Sequence, residues 1–283
     1  MSFLTGFKSA PFELFANLGA SAAAASNEAN CSDSLATLVG SKWTTGDGRE
    51  FVLVQNGGTA LVAGYLIQSP TGIANMTALS PATSSTTGYS AAYPIVGAVN
   101  TKVIQLATGG TTAVLANQFQ GGYLTIVTGL GIGTCLKIAG NTAAAISSAF
   151  VVTCEDPFSV LTDTTSRFTL TINPYGTKTG TDYTTGGVLI CVASGSTQTG
   201  VPIGVSTYPI VASTATIPSY GFIQTRGICA VLGTDTSAIG TLQGNSTSAG
   251  QVIAYTVGSK LAPVGVAAAI TTSGYANPIN LQL

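Results

Sequence analysis

Arg226 is the residue whose chemistry is most conspicuous in this sequence, because it is the only basic residue between Lys178 and Lys260. It lies in the stretch YGFIQTRGICAVL, Tyr220–Leu232, where two short apolar runs flank the polar sequence QTRG. This pattern predicts two strands joined or kinked at Gly227, since glycine can take a turn or bulge conformation that a residue with a Cβ resists. A guanidinium group binds carboxylates through directed hydrogen bonds. We therefore expect Arg226 to have a specific carboxylate partner, either within the chain or across a subunit boundary.

Few other residues offer catalytic chemistry. The chain contains no histidine, which removes the commonest general base and the Ser-His and Cys-His nucleophile pairs. Glu155-Asp156 could bind a cation, but its position before Pro157 favours a turn. The glycines of GLGIGT at 129–134 lack the dinucleotide-binding spacing, and the residues after them continue as a strand, which favours a glycine turn between two strands. We predict no catalytic residue, no cofactor, no metal site and no enzymatic activity.

The five cysteines are far apart, and none forms a Cys-x-x-Cys pair. Zinc and thioredoxin-like sites are therefore not indicated. Four of the five lie in apolar runs, which predicts buried, reduced thiols and synthesis in a reducing cytoplasm. They are Cys31, Cys135, Cys154, Cys191 and Cys229.

Charge is scarce throughout the chain. Only 7% of its 283 residues are charged, against about 25% in ordinary globular proteins. The nine basic residues are dispersed and the net charge is −1, so nucleic-acid binding lacks its electrostatic footprint. No segment approaches the ~20 uninterrupted apolar residues of a membrane helix. This composition suits a protein buried in an assembly or exposed outside a cell, and argues against a free cytosolic enzyme.

The first 50 residues differ from the rest. They are rich in alanine and poor in β-branched residues, so they cannot bury enough surface to fold alone. We predict an N-terminal arm at 1–50, extended or partly helical, that orders against a neighbouring subunit; a loose tail is the alternative. Trp43, the only tryptophan, lies near its end.

From residue 51 the apolar pattern has a period of two, which predicts an all-β fold of β-barrel or β-sandwich modules. The clearest hairpin pairs 51–55 with 59–68 around Asn56-Gly57-Gly58. Residues 166–172 alternate cleanly, and 278–283 could close a sheet as a final strand. We expect a first β module at 51–120 and a second at 121–283, which could also form one continuous domain.

Several motifs, in this order, resemble those of head decoration (cement) proteins of tailed bacteriophages. They are GGYLTI (121–126), KIAGNT (137–142), FVVTCEDP (150–157), TLTINPY (169–175) and YGFIQTRG (220–227). The likeness covers roughly residues 50 to 270. It implies a β-rich protein on the outer capsid surface, commonly a homotrimer, that binds the major capsid protein and stiffens the shell. The best-known small cement proteins are about half as long, so an added β module or spike-like top is expected.

The sequence therefore favours a structural virion protein, made in the host cytoplasm, that binds without cofactors, nucleic acid or membrane. Arg226, Gln224 and Trp43 are the predicted interface residues. A receptor-binding or tail-fibre adhesin has the same Gly/Ser/Thr-rich β composition and is the first alternative. A glycoside hydrolase on a β scaffold, which would need a suitably spaced carboxylate pair, is the second.

Overall fold

A computed structural model describes residues 38–71, 75–108, 112–177, 182–191, 200–256 and 262–283, and the backbone of 193–194 and 197–198. Residues 1–37 of the predicted N-terminal arm lie outside the described residues. The described part of the chain contains strands and turns but no helix, and its strands form two curled antiparallel sheets and one separate two-stranded sheet. The predicted all-β fold class is confirmed.

Eighteen strands are described. They are β1 (Lys42–Thr44), β2 (Glu50–Gln55), β3 (Leu66–Gln68), β4 (Met76–Leu79), β5 (Val103–Ala107), β6 (Tyr123–Thr128), β7 (Cys135–Asn141), β8 (Ala149–Cys154), β9 (Arg167–Thr171), β10 (Leu189–Ile190), β11 (Ala193–Ser194), β12 (Thr197–Gln198), β13 (Pro202–Ser206), β14 (Tyr220–Leu232), β15 (Leu242–Asn245), β16 (Val252–Ala254), β17 (Pro263–Ala267) and β18 (Ala276–Gln282).

The chain forms two compact units whose limits differ from the predicted modules. The terminal unit comprises Met1–Thr71, Pro174–Gly176 and Tyr183–Leu283, and the central unit comprises Gly72–Asn173 and Thr177–Asp182. No boundary falls near residue 120. The reason is long-range pairing: β2 runs antiparallel to β14, so residues near position 50 fold with the C-terminal part of the chain and the central unit is an insertion between them.

The terminal unit is built on a sheet with the strand order β10-β3-β13-β14-β18-β17-β15-β16, to which β2 and then β1 are added through β14. The first half of β14 pairs with β2 and β13, and the second half pairs with β18. A parallel bridge from Gly233 to Val252 brings β16 against the segment that follows β14. The sheet therefore curls around an interior that contains Val231, Val264 and Ile279, each with no exposed surface.

The predicted hairpin between 51–55 and 59–68 is wrong. Only Leu66–Gln68 of the second segment is a strand, and it pairs with β10 and β13. The turn residues are bound elsewhere: Asn56 Nδ2 donates to the carbonyl of Val211 at 2.7 Å, and the amide of Gly57 donates to the carbonyl of Val188 at 3.0 Å. These long-range bonds lead the chain away from β2, which takes β14 as its partner instead.

The central unit contains a six-stranded sheet in the order β4-β9-β6-β7-β8-β5. The predicted alternation at 166–172 is confirmed, because Phe168 and Leu170 of β9 are fully buried while their strand neighbours are partly exposed. The predicted C-terminal strand is also observed as β18, which lies between β14 and β17. In both strands, period-two burial sets which face meets the core.

Strand β14 is one continuous element of 13 residues with an irregularity near its middle. Its register against β2 shifts between Gln224 and Arg226, and Gly227 has a φ of 84°. Gln224 Nε2 donates to the carbonyls of Arg226 at 2.9 Å and Ile228 at 3.0 Å. The sequence correctly indicated a special glycine conformation here, but the two apolar runs belong to one strand.

We expect Gly227→Ala to destabilise the terminal unit more than Gly274→Ala. Both glycines have a positive φ, which costs an alanine about 1–2 kcal/mol. At Gly227 the new Cβ would also lie 2.9 Å from Arg49 Cγ and 3.3 Å from Arg49 Cα, whereas nothing lies within 4 Å at Gly274. Denaturant unfolding followed by Trp43 fluorescence measures both; equal losses would show that contact with Arg49 is unimportant.

Candidate interface site

The charges of the terminal unit gather in one place. Of the six charged residues that the structure describes in this unit, five lie on the β1–β2 hairpin and the adjoining bend of β14, and the sixth is Asp235. We call the five the charged cluster: Lys42, Asp47, Arg49, Glu50 and Arg226. Because the rest of the described surface of this unit is almost uncharged, the cluster is its main electrostatic feature.

Glu50 is the centre of the charged cluster. Its Oε2 lies 2.8 Å from Lys42 Nζ, and its Oε1 lies 3.5 Å from Arg226 Nη1. The β2–β14 register places Glu50 opposite Arg226. The predicted carboxylate partner of Arg226 is therefore found within the chain. The contact is single and long, and the Arg226 side chain remains 66% exposed, which leaves the guanidinium accessible to an external anionic group.

A second ion pair lies in the turn between β1 and β2. Arg49 Nε lies 2.7 Å from Asp47 Oδ2, and the Arg49 guanidinium lies 5.7 Å from the centre of the Phe51 ring. The Thr45 hydroxyl, followed by Arg49, lowers the pKa of Asp47 below its ordinary value. The turn is thus held by polar contacts that require an ionised carboxylate.

The predicted interface residues lie close together but occupy different environments. Trp43, Phe51 and Gln224 are aligned in one row across β1, β2 and β14. Trp43 is half-buried and meets Phe222 edge to face, with ring centres 4.8 Å apart. Gln224 is only 1% exposed, so it supports the bend of β14 from inside and is not a surface residue. Arg226 alone of the three is well exposed.

A surface that sequence reasoning missed lies at the other end of β14. Three large apolar side chains project there from the loops at 233–241 and 268–275, and we call them the apolar rim. Ile239 and Ile270 are each 66% exposed, and Tyr275 is 67% exposed. Isolated apolar residues in Ser/Thr-rich loops show no periodicity, so the sequence carries no signal that these two loops would lie side by side.

The two loops of the apolar rim are fixed to each other by hydrogen bonds. The amide of Thr271 donates to the carbonyl of Ser237 at 2.9 Å, and the amide of Gly233 donates to the carbonyl of Tyr275 at 3.1 Å. The Ser273 hydroxyl donates to the carbonyl of Thr234 at 2.8 Å. The exposed side chains are therefore carried on an ordered base.

Asp235 anchors this base to the sheet. Its Oδ2 accepts hydrogen bonds from the Ser237 hydroxyl at 3.0 Å and from the amide of Ala254, in β16, at 2.9 Å. Its carbonyl accepts a further bond from the Thr271 hydroxyl at 3.3 Å. The Asp235 side chain thus joins the loop at 233–241 to the edge of the terminal sheet, and its backbone carbonyl binds the loop at 268–275.

The cysteines largely follow the prediction. Cys154, Cys191 and Cys229 are buried and carry no disulfide, whereas Cys135 is exposed and Cys31 lies outside the described residues. Burial raises the pKa of Cys154 to about 12, of Cys191 to about 11 and of Cys229 to about 12. These three thiols are protonated at neutral pH and are poor nucleophiles.

The other motifs that suggested chemistry have structural positions. GLGIGT forms the turn between β6 and β7, where Gly129, Gly131 and Gly133 all have positive φ. Glu155 pairs with Lys137 at 2.8 Å in the central unit. Within the described residues, no three His, Cys, Asp or Glu side chains are grouped as metal ligands.

Comparisons with protein-family models, curated proteins and solved structures find no match to this chain. In the described ranges, no helix has the length and apolarity required to cross a membrane.

Glu50 predicts a pH-dependent stability of the β1–β2 hairpin. Its hydrogen bond to Lys42, together with the charges of Lys42 and Arg226, lowers its pKa below the ordinary value of 4.5. The stabilisation is therefore complete above about pH 5 and is lost as the pH falls through the lowered pKa. We expect wild type to unfold at higher denaturant than Glu50→Gln near pH 6, and the gap to close near pH 3.

Lys42→Met is the control for this measurement, since it removes the largest cause of the lowered pKa. The pH dependence should shrink in this variant. A gap between wild type and Glu50→Gln that is the same at both pH values would contradict the ionic role of Glu50.

Proposed function

We propose that this chain is a structural virion protein that binds the outer surface of a tailed-phage head as a decoration, or cement, protein and stabilises the shell. The observation that carries the proposal is the apolar rim, where three large side chains about two-thirds exposed are mounted on hydrogen-bonded loops. The resemblance of the motifs and the low charge of the chain support the same function.

The physical requirements of shell binding fit such a surface. Cores of protein interfaces are poor in charged residues and rich in apolar and aromatic ones. Loops that are already ordered lose little entropy on binding, so more of the gain from burial remains as affinity. Beside the apolar rim, the exposed residues Thr236 and Thr272 carry uncharged hydroxyl groups, which suits close contact with the major capsid protein.

The charged cluster has a complementary role in this proposal. Exposed charges at an interface contribute more to orientation and partner choice than to affinity. Arg226 keeps most of its guanidinium accessible while Glu50 restrains it. In a homotrimer on the shell, it would donate hydrogen bonds to a carboxylate of a neighbouring subunit or of the capsid protein and so fix the rotational orientation of the bound molecule.

An adhesin is the second candidate, and one feature of the central unit favours it. Tyr123, 44% exposed, lies in a cross-strand row between Thr171 and Lys137 on β9, β6 and β7. Lys137 is paired with Glu155. An exposed aromatic ring beside hydroxyl and charged groups suits the apolar face and hydroxyls of a sugar.

Binding of the purified chain to expanded, undecorated phage heads tests the proposal. We expect wild type to co-sediment with heads and the double variant Ile239→Asn/Ile270→Asn to bind at least about 100-fold more weakly, since each buried isoleucine contributes about 1.5–3 kcal/mol. Ile132→Asn is the matched control, because Ile132 is 67% exposed and lies in the central unit.

Electron microscopy of intact virions tests the proposed location on the head independently. Density for the chain on the tail, or a wild-type chain that stays monomeric and never binds expanded heads, would overturn the cement function. Normal binding by the double variant together with loss in Ile132→Asn would leave the function standing but move the contact to the central unit.

A further inference from the structure

Among the described residues of the terminal unit, four buried side-chain atoms have no nitrogen or oxygen hydrogen-bond partner. They are Gln243 Nε2, Gln243 Oε1, Asn245 Nδ2 and Asp235 Oδ1. Gln243 and Asn245 are 0% exposed. Leaving a buried polar group unsatisfied costs about 1–3 kcal/mol, so four such atoms in one region require a common explanation.

The strand register places the three side chains in one neighbourhood. Gln243 and Asn245 are two residues apart on β15 and therefore point to the same face, toward the interior. Gln243 lies opposite Ala254 of β16, and the amide of Ala254 donates to the Asp235 carboxylate. Asp235 therefore binds the residue of β16 that lies opposite Gln243.

The cross-strand neighbours of Gln243 cannot satisfy its amide. They are Ala254 on one side and Gly265 on the other, and neither has a polar side chain. Asn245 lies opposite Val252, which is apolar as well. Asn245 Oδ1 accepts a hydrogen bond from the amide of Ala262 at 2.9 Å. The side-chain amide of Asn245 faces the thiol of Cys191, whose sulfur is only a weak acceptor.

The unsatisfied atoms comprise two donors and two acceptors. A cation would serve only the oxygens of Asp235 and Gln243, and an anion would serve only the amide nitrogens. Water both donates and accepts, and buried water in proteins typically makes about three hydrogen bonds to such groups. The balance of donors and acceptors therefore selects water.

We propose that Asp235, Gln243 and Asn245 form an internal hydration site in which on the order of two ordered water molecules bridge β15 to the base of the apolar rim. Asp235 is the link, because its other carboxylate oxygen holds Ser237 and β16. The bound water completes the hydrogen bonding of this carboxylate and so supports the loop at 233–241. This site is independent of the partner that the rim binds.

Magnetisation transfer from water to side-chain amide protons, measured by NMR on the intact chain, tests the site directly. We expect the amides of Gln243 and Asn245 to show cross-relaxation with long-lived bound water. Gln224 is the internal control: it is equally buried, but its amide donates to two backbone carbonyls, so it should show no such transfer. Signals from Gln224 as strong as those from Gln243 would overturn the assignment.

Gln243→Met provides a second readout, since methionine keeps the side-chain length and removes both polar atoms. We expect the water signal at Asn245 to fall severalfold and the denaturant midpoint to decrease. A raised midpoint would mean that the site is dry, and a direct hydrogen bond between Gln243 and Asp235, with no water transfer in wild type, would also refute the proposal.

Discussion

The antiparallel pairing of β14 is the constraint on which the terminal unit depends. This strand holds β2 and β13 along its first half and β18 along its second, and so ties residues near position 50 to the C-terminal region. Closing such a long loop costs conformational entropy, although the cost grows only slowly with loop length. The ladder and the apolar cores on both halves of β14 offset it, and the central unit can therefore be inserted without disturbing the sheet.

The change of partners along β14 explains the polar residues at its middle. Where the register shifts, backbone carbonyls lose regular partners, and Gln224 supplies donors to two of them from inside the sheet. Gly227 takes a conformation that a residue with a Cβ resists. Arg226 is then turned outward to Glu50. The conspicuous arginine of the sequence is thus one consequence of a bend that lets one strand serve two sets of neighbours.

Charged and exposed apolar side chains occupy different parts of the surface of the terminal unit. Its described charges are concentrated where β1, β2 and the bend of β14 meet, and its most exposed apolar side chains include those on loops beyond the far end of β14. Ionic contacts at exposed sites contribute little to stability, whereas exposed apolar groups gain free energy when a partner covers them. In the proposed function, the first surface orients the molecule and the second binds it. The Asp235 carboxylate connects the loop at 233–241 to strand β16 of the sheet.

The sequence by itself determined the all-β class, the alternating strand β9, the last strand β18, the turn at GLGIGT and the special glycine at Gly227. All of these features depend on local periodicity or on the conformational range of one residue, and both can be read from a short stretch of consecutive residues. It did not determine that β2 pairs with β14, that the central unit is an insertion, or that Gln224 is buried. Nor did it reveal the apolar rim, whose members come from two loops joined only by hydrogen bonds across the fold. Strand partners are chosen by the packing of distant side chains on a shared face, and only the tertiary structure brings those faces together.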